Sequence, residues 1–454
     1  MRFRNSPTLL VVLGLALLVP YLYALRLGDL RQHTVEFEVA FLVAFGLYSL
    51  AVVLVLEAGN DKPASTGLLL LIFAFGIAFR AVLVFSQPRL SDDMYRYVWE
   101  GRVQANGFTP YTHPPDAPEL RPLRDGAIWP LINRKSSVTV YPAGAELAFA
   151  VLWRIRPDSV RWFQIVMAGG DVLAGVLLVF LLRVLGQPPQ RVLIYLWSPL
   201  VIFETAHSAH VDGLVLPLLV GAWLMRVKGR DGWTGALLGA ATALKLYPVI
   251  LLPVLWRPRD EAGRLRPAWL TPLTFIIVIT AAYAPYLVQG IGAVGYLPQY
   301  FAETGNMSLA YPIGQIAQWA GIQPERAANA VMATTLAVIG LVFILRPAAH
   351  GEQALRRCLW PIGAFLMLTQ LLHPWYLLWL VPLIALFLRP GKWDLNFAWR
   401  GWFLFTGTVV LSYTFYINMK TVIWAVFAEF VPLYAVLIVL FILHRSPPSQ
   451  RKLT

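Results

Sequence analysis

GLLLLIFAFGIAFRAVLVF, residues 67–85, leads through Ser86–Leu90 into SDDMYRYVWEGRVQANGFTPY, residues 91–111. The first stretch has the length and apolarity of a membrane-spanning helix. The second is polar and aromatic, and it places two adjacent carboxylates, Asp92 and Asp93, where such a helix meets water. Ser91 reads as the cap of a further helix whose first turn carries both aspartates, because a side-chain oxygen and negative charge satisfy the N–H groups exposed there. On that helix Met94, Val98, Gly101 and Ala105 share one face and Asp93, Tyr97, Glu100 and Gln104 the other. Such a division predicts a helix lying along the membrane surface.

The rest of the chain is apolar in the same way. Of 454 residues, 58% are hydrophobic and 13% charged, and the mean hydropathy is +0.62. That excludes an ordinary soluble protein and predicts an all-α, polytopic integral membrane protein, residues 1–454 forming a single transmembrane domain. The net charge of +13 comes from basic residues scattered over short loops, a pattern of cytoplasmic charge and anionic lipid contact rather than of nucleic-acid binding. Cys358, the single cysteine, reads as a small buried hydrophobe and excludes an intramolecular disulfide. Leu9–Leu25 follows Arg2 and Arg4 but lacks a small-residue cleavage pattern at Val19–Arg26, so it is expected to remain as a first helix.

With the N-terminus cytoplasmic, Leu9–Leu25 goes out, Phe37–Leu56 returns and Gly67–Phe85 goes out, leaving Asp92 and Asp93 extracytoplasmic. Residues 86–139 then form a proline-rich outer loop, expected to cover a ligand and to carry the chemistry. Tyr141–Trp153 is too short to span comfortably and reads as a re-entrant or interfacial helix. Trp162–Leu182, Val192–Thr205 and Val211–Met225 follow as spans. This arrangement leaves Arg183, Arg191, Arg226, Lys228 and Arg230 inside, with Arg154, Arg156 and Arg161 outside. Trp233–Trp256 reads as a pair of helices broken at Lys245-Leu246-Tyr247-Pro248, with a single span as the alternative. Counting back from the basic tail gives spans at Ala327–Leu345, Leu359–Leu372, Tyr376–Leu388, Trp399–Tyr416 and Val422–Leu443, with the RPRDEAGRLRP loop, Arg389 and Lys392 inside. Residues 290–323 form a second outer loop.

Four polar features thus reach one side: Asp92/Asp93, the run HSAHVD at His207–Asp212, His373-Pro374-Trp375-Tyr376, and Lys245. An ionisable group inside an apolar span costs about 2.5–3.5 kcal/mol on insertion scales, so a role or a partner is expected. The aspartates are either helix caps or a general base, with Arg96 holding one of them ionised. They could also bind a divalent metal, but too few oxygen ligands lie nearby to favour it. His210 and Asp212 are a polar cap or orient a hydroxyl-rich ligand. His373 is an interfacial histidine or an imidazolium or N–H donor to phosphate. Lys245 calls for a phosphate or carboxylate partner. Asp171 reads as structural, and Arg80 either snorkels or contacts the acidic pair.

Taken in order, SDDMYRYVWEGRVQANGFTPY, TVYP, AHSAHVDGL, ALKLYP and HPWYLLWLVP resemble the polyprenyl-phosphate-dependent glycosyltransferases of the GT-C superfamily, nearest in type to the bacterial GT87 mannosyltransferases. The resemblance runs from about Arg80 to Leu388. Relatives carry a second proline in a YPP motif, where this chain has Tyr141-Pro142-Ala143. The resemblance implies inverting transfer of a hexose, mannose by type, from a polyprenyl-phosphate donor to a lipid- or glycan-linked hydroxyl at the extracytoplasmic face of the plasma membrane, without a cofactor. Asp92 or Asp93 is then the base, with His373, Lys245 and Arg96 as donor-phosphate ligands. Tyr95, Glu100, His210, Asp212 and Tyr376 are the remaining candidate substrate ligands. The rival class is a transporter or flippase of lipid-linked sugars, which calls for midplane polar residues and repeated halves; neither is visible here.

Overall fold

The computed structural model describes residues 7–57, 65–257, 264, 268–389 and 398–445. Its α-helices of eight residues or more are α1 (Pro7–Leu27), α2 (Thr34–Glu57), α3 (Thr66–Val84), α4 (Asp93–Ala105), α5 (Ala143–Ile155), α6 (Val160–Val184), α7 (Asp212–Val227) and α8 (Asp231–Leu244). They continue with α9 (Leu270–Tyr283), α10 (Ala310–Trp319), α11 (Pro324–Leu345), α12 (Leu359–Leu368), α13 (Leu380–Phe387), α14 (Ala398–Thr408) and α15 (Ile423–Arg445). Among the described residues there is no strand, only an isolated bridge between Gly305 and Leu371. Six helical stretches are long and apolar enough to cross a membrane: α1, α2, α3, α6, α11, and α9 continued to Val294. The chain is an all-α polytopic membrane protein.

Short capping interactions start the spans near the site. Ser65 Oγ accepts from Leu68 N at 3.2 Å to begin α3, and Ser159 Oγ accepts from Trp162 N at 3.2 Å to begin α6. These bonds satisfy N–H groups that a helix start leaves without partners. Val192–Thr205, expected as a span, is a series of short helical pieces interrupted at Ser198-Pro199, and it is buried throughout. Proline removes a donor and stops helix propagation, and α2, α3, α6 and α13 pack around the segment. Its Phe203 meets Tyr21 of α1 and Phe37 and Phe41 of α2 in ring contacts of 5.0–5.7 Å. It is the protein's core, not a lipid-facing helix.

Arg80 also departs from expectation. It points away from Asp92/Asp93 and pairs with Asp171 at 2.5 Å, both side chains being buried. Tyr195 and Thr205 donate to the same carboxylate at 2.5 and 2.7 Å. Burying a charge is tolerable only when its partners are complete, and this cluster ties α3 and α6 to the central turns. The break expected at Lys245 is present: α8 stops at Leu244, Lys245 is extended, and a new turn begins at Tyr247. The RPRDEAGRLRP loop lies largely outside the described residues, as do Lys392 and the tail from Arg451.

Candidate active site

The helix after the aspartates is α4, and it does not lie on a surface. Every residue from Met94 to Val103 is buried, because α5 covers one side and residues 106–141 fold over the rest. Gly101 makes this possible: a Cβ there would stand 2.6 Å from Phe149 O of α5. Asp92, rather than Ser91, is the N-cap, and Ser91 Oγ reaches Asp93 N at 3.4 Å. The covering segment is pinned by Arg102, which donates to Leu123 O at 2.9 Å and pairs with Asp125 and Asp158 at 2.5 and 2.7 Å.

Arg96 has a different task from the one expected. Its Nε pairs with Glu100 at 2.5 Å, while its terminal nitrogens donate to Asn133 O, Arg134 O and Ser137 O at 3.3, 3.0 and 2.9 Å. It therefore fixes the 133–137 loop instead of either aspartate, and most of its donors are engaged there. The loop in turn delivers Asn133, whose amide donates to Asp92 Oδ1 at 3.0 Å and Asp93 Oδ1 at 2.8 Å. Arg31, from the α1–α2 connection, pairs with Asp92 Oδ2 at 3.2 Å. Both oxygens of Asp92 are thus held. Among the described residues, Asp93 Oδ2 has His210 Nδ1 at 3.7 Å, beyond hydrogen-bond reach, and no hydrogen bond.

Behind Asp93, His210 Nε2 stands 3.2 Å from Glu204 Oε2, both side chains being almost fully buried. Tyr413 donates to the other Glu204 oxygen at 2.7 Å. The backbone here is unusual. Phe203–His207 forms a π-helical turn, and Ala209 adopts φ of +52°. Both are strained choices that persist when surrounding packing enforces them, and both gather at functional sites. His210 stacks on Trp375 with ring centroids 3.9 Å apart, and Trp375 stacks on His373 at 4.2 Å.

Asp92, Asp93, Asn133, Lys245, His373 and Tyr376 line one cavity of about 660 Å³. Its lining also has an apolar part, built from Val249, Ile250, Leu297, Phe301, Phe365 and the α11 residues Met332, Ala333 and Leu336. Lys245 enters paired with the buried Asp212, which also accepts from Tyr247 OH at 2.5 Å. Its Nζ lies 5.2 Å from the Tyr247 ring centroid and 5.6 Å from that of Tyr376. Burial, assisted by the charges of His210, Lys245 and Arg134, lowers the His373 pKa to about 3. Burial thus favours the neutral ring, which can offer an N–H. Among the described residues, no group of three His, Cys, Asp or Glu side chains is placed to hold a metal ion.

The predicted site residues therefore divide. Asp92, Asp93, Arg96, Lys245, His373 and Tyr376 line the cavity. His210 and Asp212 stand behind its wall, holding Asp93's surroundings and Lys245. Glu100 is buried against Arg96, and the ring of Tyr95 lies below Arg89 at 6.0 Å. Asn133, Arg31, Glu204 and Arg134 were not anticipated; Arg134 lines the cavity in a two-pronged pair with Glu303. Glu204 alone carried a sequence signal, as a carboxylate inside an apolar run.

Residues 19–257, just over half the chain, match the family described as alpha-(1->6)-mannopyranosyltransferase, N-terminal domain. Alpha-(1->6)-mannopyranosyltransferase A of Mycobacterium tuberculosis is 25% identical over 357 residues, covering 68% of this chain and 64% of that protein. The protein of the same name from Corynebacterium glutamicum is 25% identical over 185 residues, 38% of this chain and 36% of its own length. In each case the match spans less than two thirds of the relative.

Proposed function

Because the chain belongs to the alpha-(1->6)-mannopyranosyltransferase family, we propose that it is a membrane mannosyltransferase using a polyprenyl-phosphate mannose donor and a lipid- or glycan-linked hydroxyl acceptor. The observation that carries this reading is the sharing of one cavity by Asp92, Asp93, Lys245 and His373, together with an apolar lining. An isoprenoid tail needs such a lining, and a departing phosphate needs a cation and hydrogen-bond donors in a low-dielectric setting.

In the proposed step the acceptor hydroxyl oxygen bonds to the anomeric carbon as the bond from that carbon to the phosphate oxygen breaks. Polyprenyl phosphate leaves and the anomeric configuration inverts. Asp93 takes the hydroxyl proton through Oδ2, the carboxylate oxygen without a hydrogen bond. Asn133 fixes Asp93 through Oδ1, while Arg31 and Asn133 keep Asp92 in place beside it. Lys245 and the neutral His373 N–H receive the developing charge on the phosphate. The cavity faces the extracytoplasmic side of the plasma membrane, with α6 and α7 carrying Arg183 and Arg226 toward the opposite, cytoplasmic ends. Residues 86–139 and 290–323 are the outer loops of this arrangement.

The test is transfer from polyprenyl-phosphate mannose by purified protein bearing Asp93→Asn or Asp92→Asn. Loss of a general base costs about 10²–10⁴ in rate, and Asp93→Asn is expected to show it, with a smaller loss for Asp92→Asn. Parent-like transfer by both variants would sink the base assignment, and a dominant loss at Asp92 would reverse it.

A further inference from the structure

Beside the main cavity lies a second pocket of about 180 Å³. His373, Trp375 and Tyr416 line both. Tyr416 is also the link to the acidic pair: the Arg31 guanidinium sits 4.7 Å from its ring centroid and pairs with Asp92 at 3.2 Å. Resting on the transferase reading above, we propose that this pocket is the acceptor subsite and takes a neutral, hydroxyl-rich sugar ring.

The chemistry of the lining favours that class. No Lys, Arg, Asp or Glu lines the pocket, so it offers nothing to balance a phosphate, which belongs with Lys245 in the larger cavity. Trp375 and Tyr416 give the lining aromatic edges that suit the C–H groups of a sugar, while Asn306, Ser412 and Thr421 bring hydroxyl and amide groups. This is the usual composition of a small-molecule site, mainly apolar with a few placed polar atoms. Asn306 is oriented for the purpose. Its amide nitrogen donates to Leu372 O at 3.3 Å and Glu429 Oε1 at 3.1 Å, which fixes Oδ1 as the remaining acceptor. That oxygen is buried without a partner among the described residues, on a residue that lines the pocket. An unpaired buried acceptor is unfavourable, and a sugar hydroxyl would complete it.

Position adds a second argument. All the residues lining the pocket lie between Thr304 and Val426, beyond residue 257 where the family match ends. Asp92, Asp93, Asn133 and Lys245 lie within it. Acceptor choice is therefore carried by a part of the chain separate from the residues assigned to the transfer step.

The experiment uses the full chain in lipid nanodiscs, with polyprenyl-phosphate mannose as donor and an octyl dimannoside as acceptor. Thr421→Trp is the main variant because Thr421 is exposed on the loop before α15 and can change without disturbing the core; Asn306→Ala is the second. Thermal unfolding is read alongside. The proposal expects the acceptor KM to rise at least about tenfold in Thr421→Trp, with the donor KM within about twofold of the parent and the melting temperature retained. Asn306→Ala is expected to raise the acceptor KM in the same direction. An unchanged acceptor KM in both variants, or a donor KM that rises in parallel, overturns the subsite. A parent protein that moves no mannose to any acceptor overturns the transferase reading itself, which is a separate result.

Discussion

Replacing Lys245 by methionine separates two roles that meet on one ammonium group. Asp212 is fully buried and accepts from Lys245 and from Tyr247 OH, the latter at 2.5 Å; Trp379 Nε1 holds Tyr247 OH in turn at 2.7 Å. Losing one member of a buried pair strands the other charge and costs about 3–5 kcal/mol. Because the Tyr247 bond survives, Lys245→Met is expected near the lower end, at about 3 kcal/mol. Removing both charges, as in Lys245→Met/Asp212→Leu, leaves only the Tyr247 hydroxyl without its acceptor, a loss of about 1 kcal/mol. The double variant should therefore be about 2 kcal/mol more stable than Lys245→Met alone. Catalysis should behave differently. In the proposed step Lys245 is the cation facing the departing phosphate, a role worth about 10²–10³ in kcat, and on that proposal the loss should persist in the double variant. The assay pairs denaturation in detergent micelles with transfer from polyprenyl-phosphate mannose. A double variant that recovers both stability and transfer would show that Lys245 acts only through Asp212. A single variant as stable as the parent would refute the stranded-charge argument.

Two further outcomes are expected. Arg80→Leu should destabilise the protein by about 3–5 kcal/mol by stranding Asp171 and leave the donor KM unchanged, as read by melting and steady-state kinetics; a parent-like melt would contradict the buried cluster. For His373 the folded pKa is about 3, against about 6.5 when unfolded, so the unfolded state takes up the proton first. Its stability contribution is present above pH of about 6.5 and is lost as pH falls toward 3. His373→Gln should therefore flatten the dependence of melting temperature on pH below about 6, and leave the shape of the transfer profile above about pH 5 unaltered. A rate limb near neutrality that vanishes in this variant would contradict the neutral ring.

How much of this was legible in the sequence depends on the background against which each polar residue stands. Within an apolar block an ionisable side chain is conspicuous, because it must find a partner or bear a solvation cost of about 2.5–3.5 kcal/mol. That rule marked Lys245 and Asp171, and each has a buried partner: Asp212 for the first, Arg80 for the second. The same rule applies to Glu204 in LVIFETAH, but reading Val192–Thr205 simply as a span hides it. Apolarity says that a segment avoids water, not whether lipid or protein replaces the water. Arg31 and Asn133 gave no signal because they stand in loops, where charge and amide are ordinary. Their contacts depend on how residues 106–141 fold back over α4, and no local period encodes that return.

The two aspartates show the same limit at the scale of one residue. Adjacent and chemically alike, they cannot be told apart by spacing. What separates them is that Asp92 faces a cation from the α1–α2 connection while Asp93 faces His210 across a wider gap. The arginine and histidine come from opposite directions along the chain, one before α3 and one after α6. Which carboxylate is left with a free oxygen is therefore a property of the assembled bundle, and it is what assigns the proton to Asp93 in the proposed mechanism.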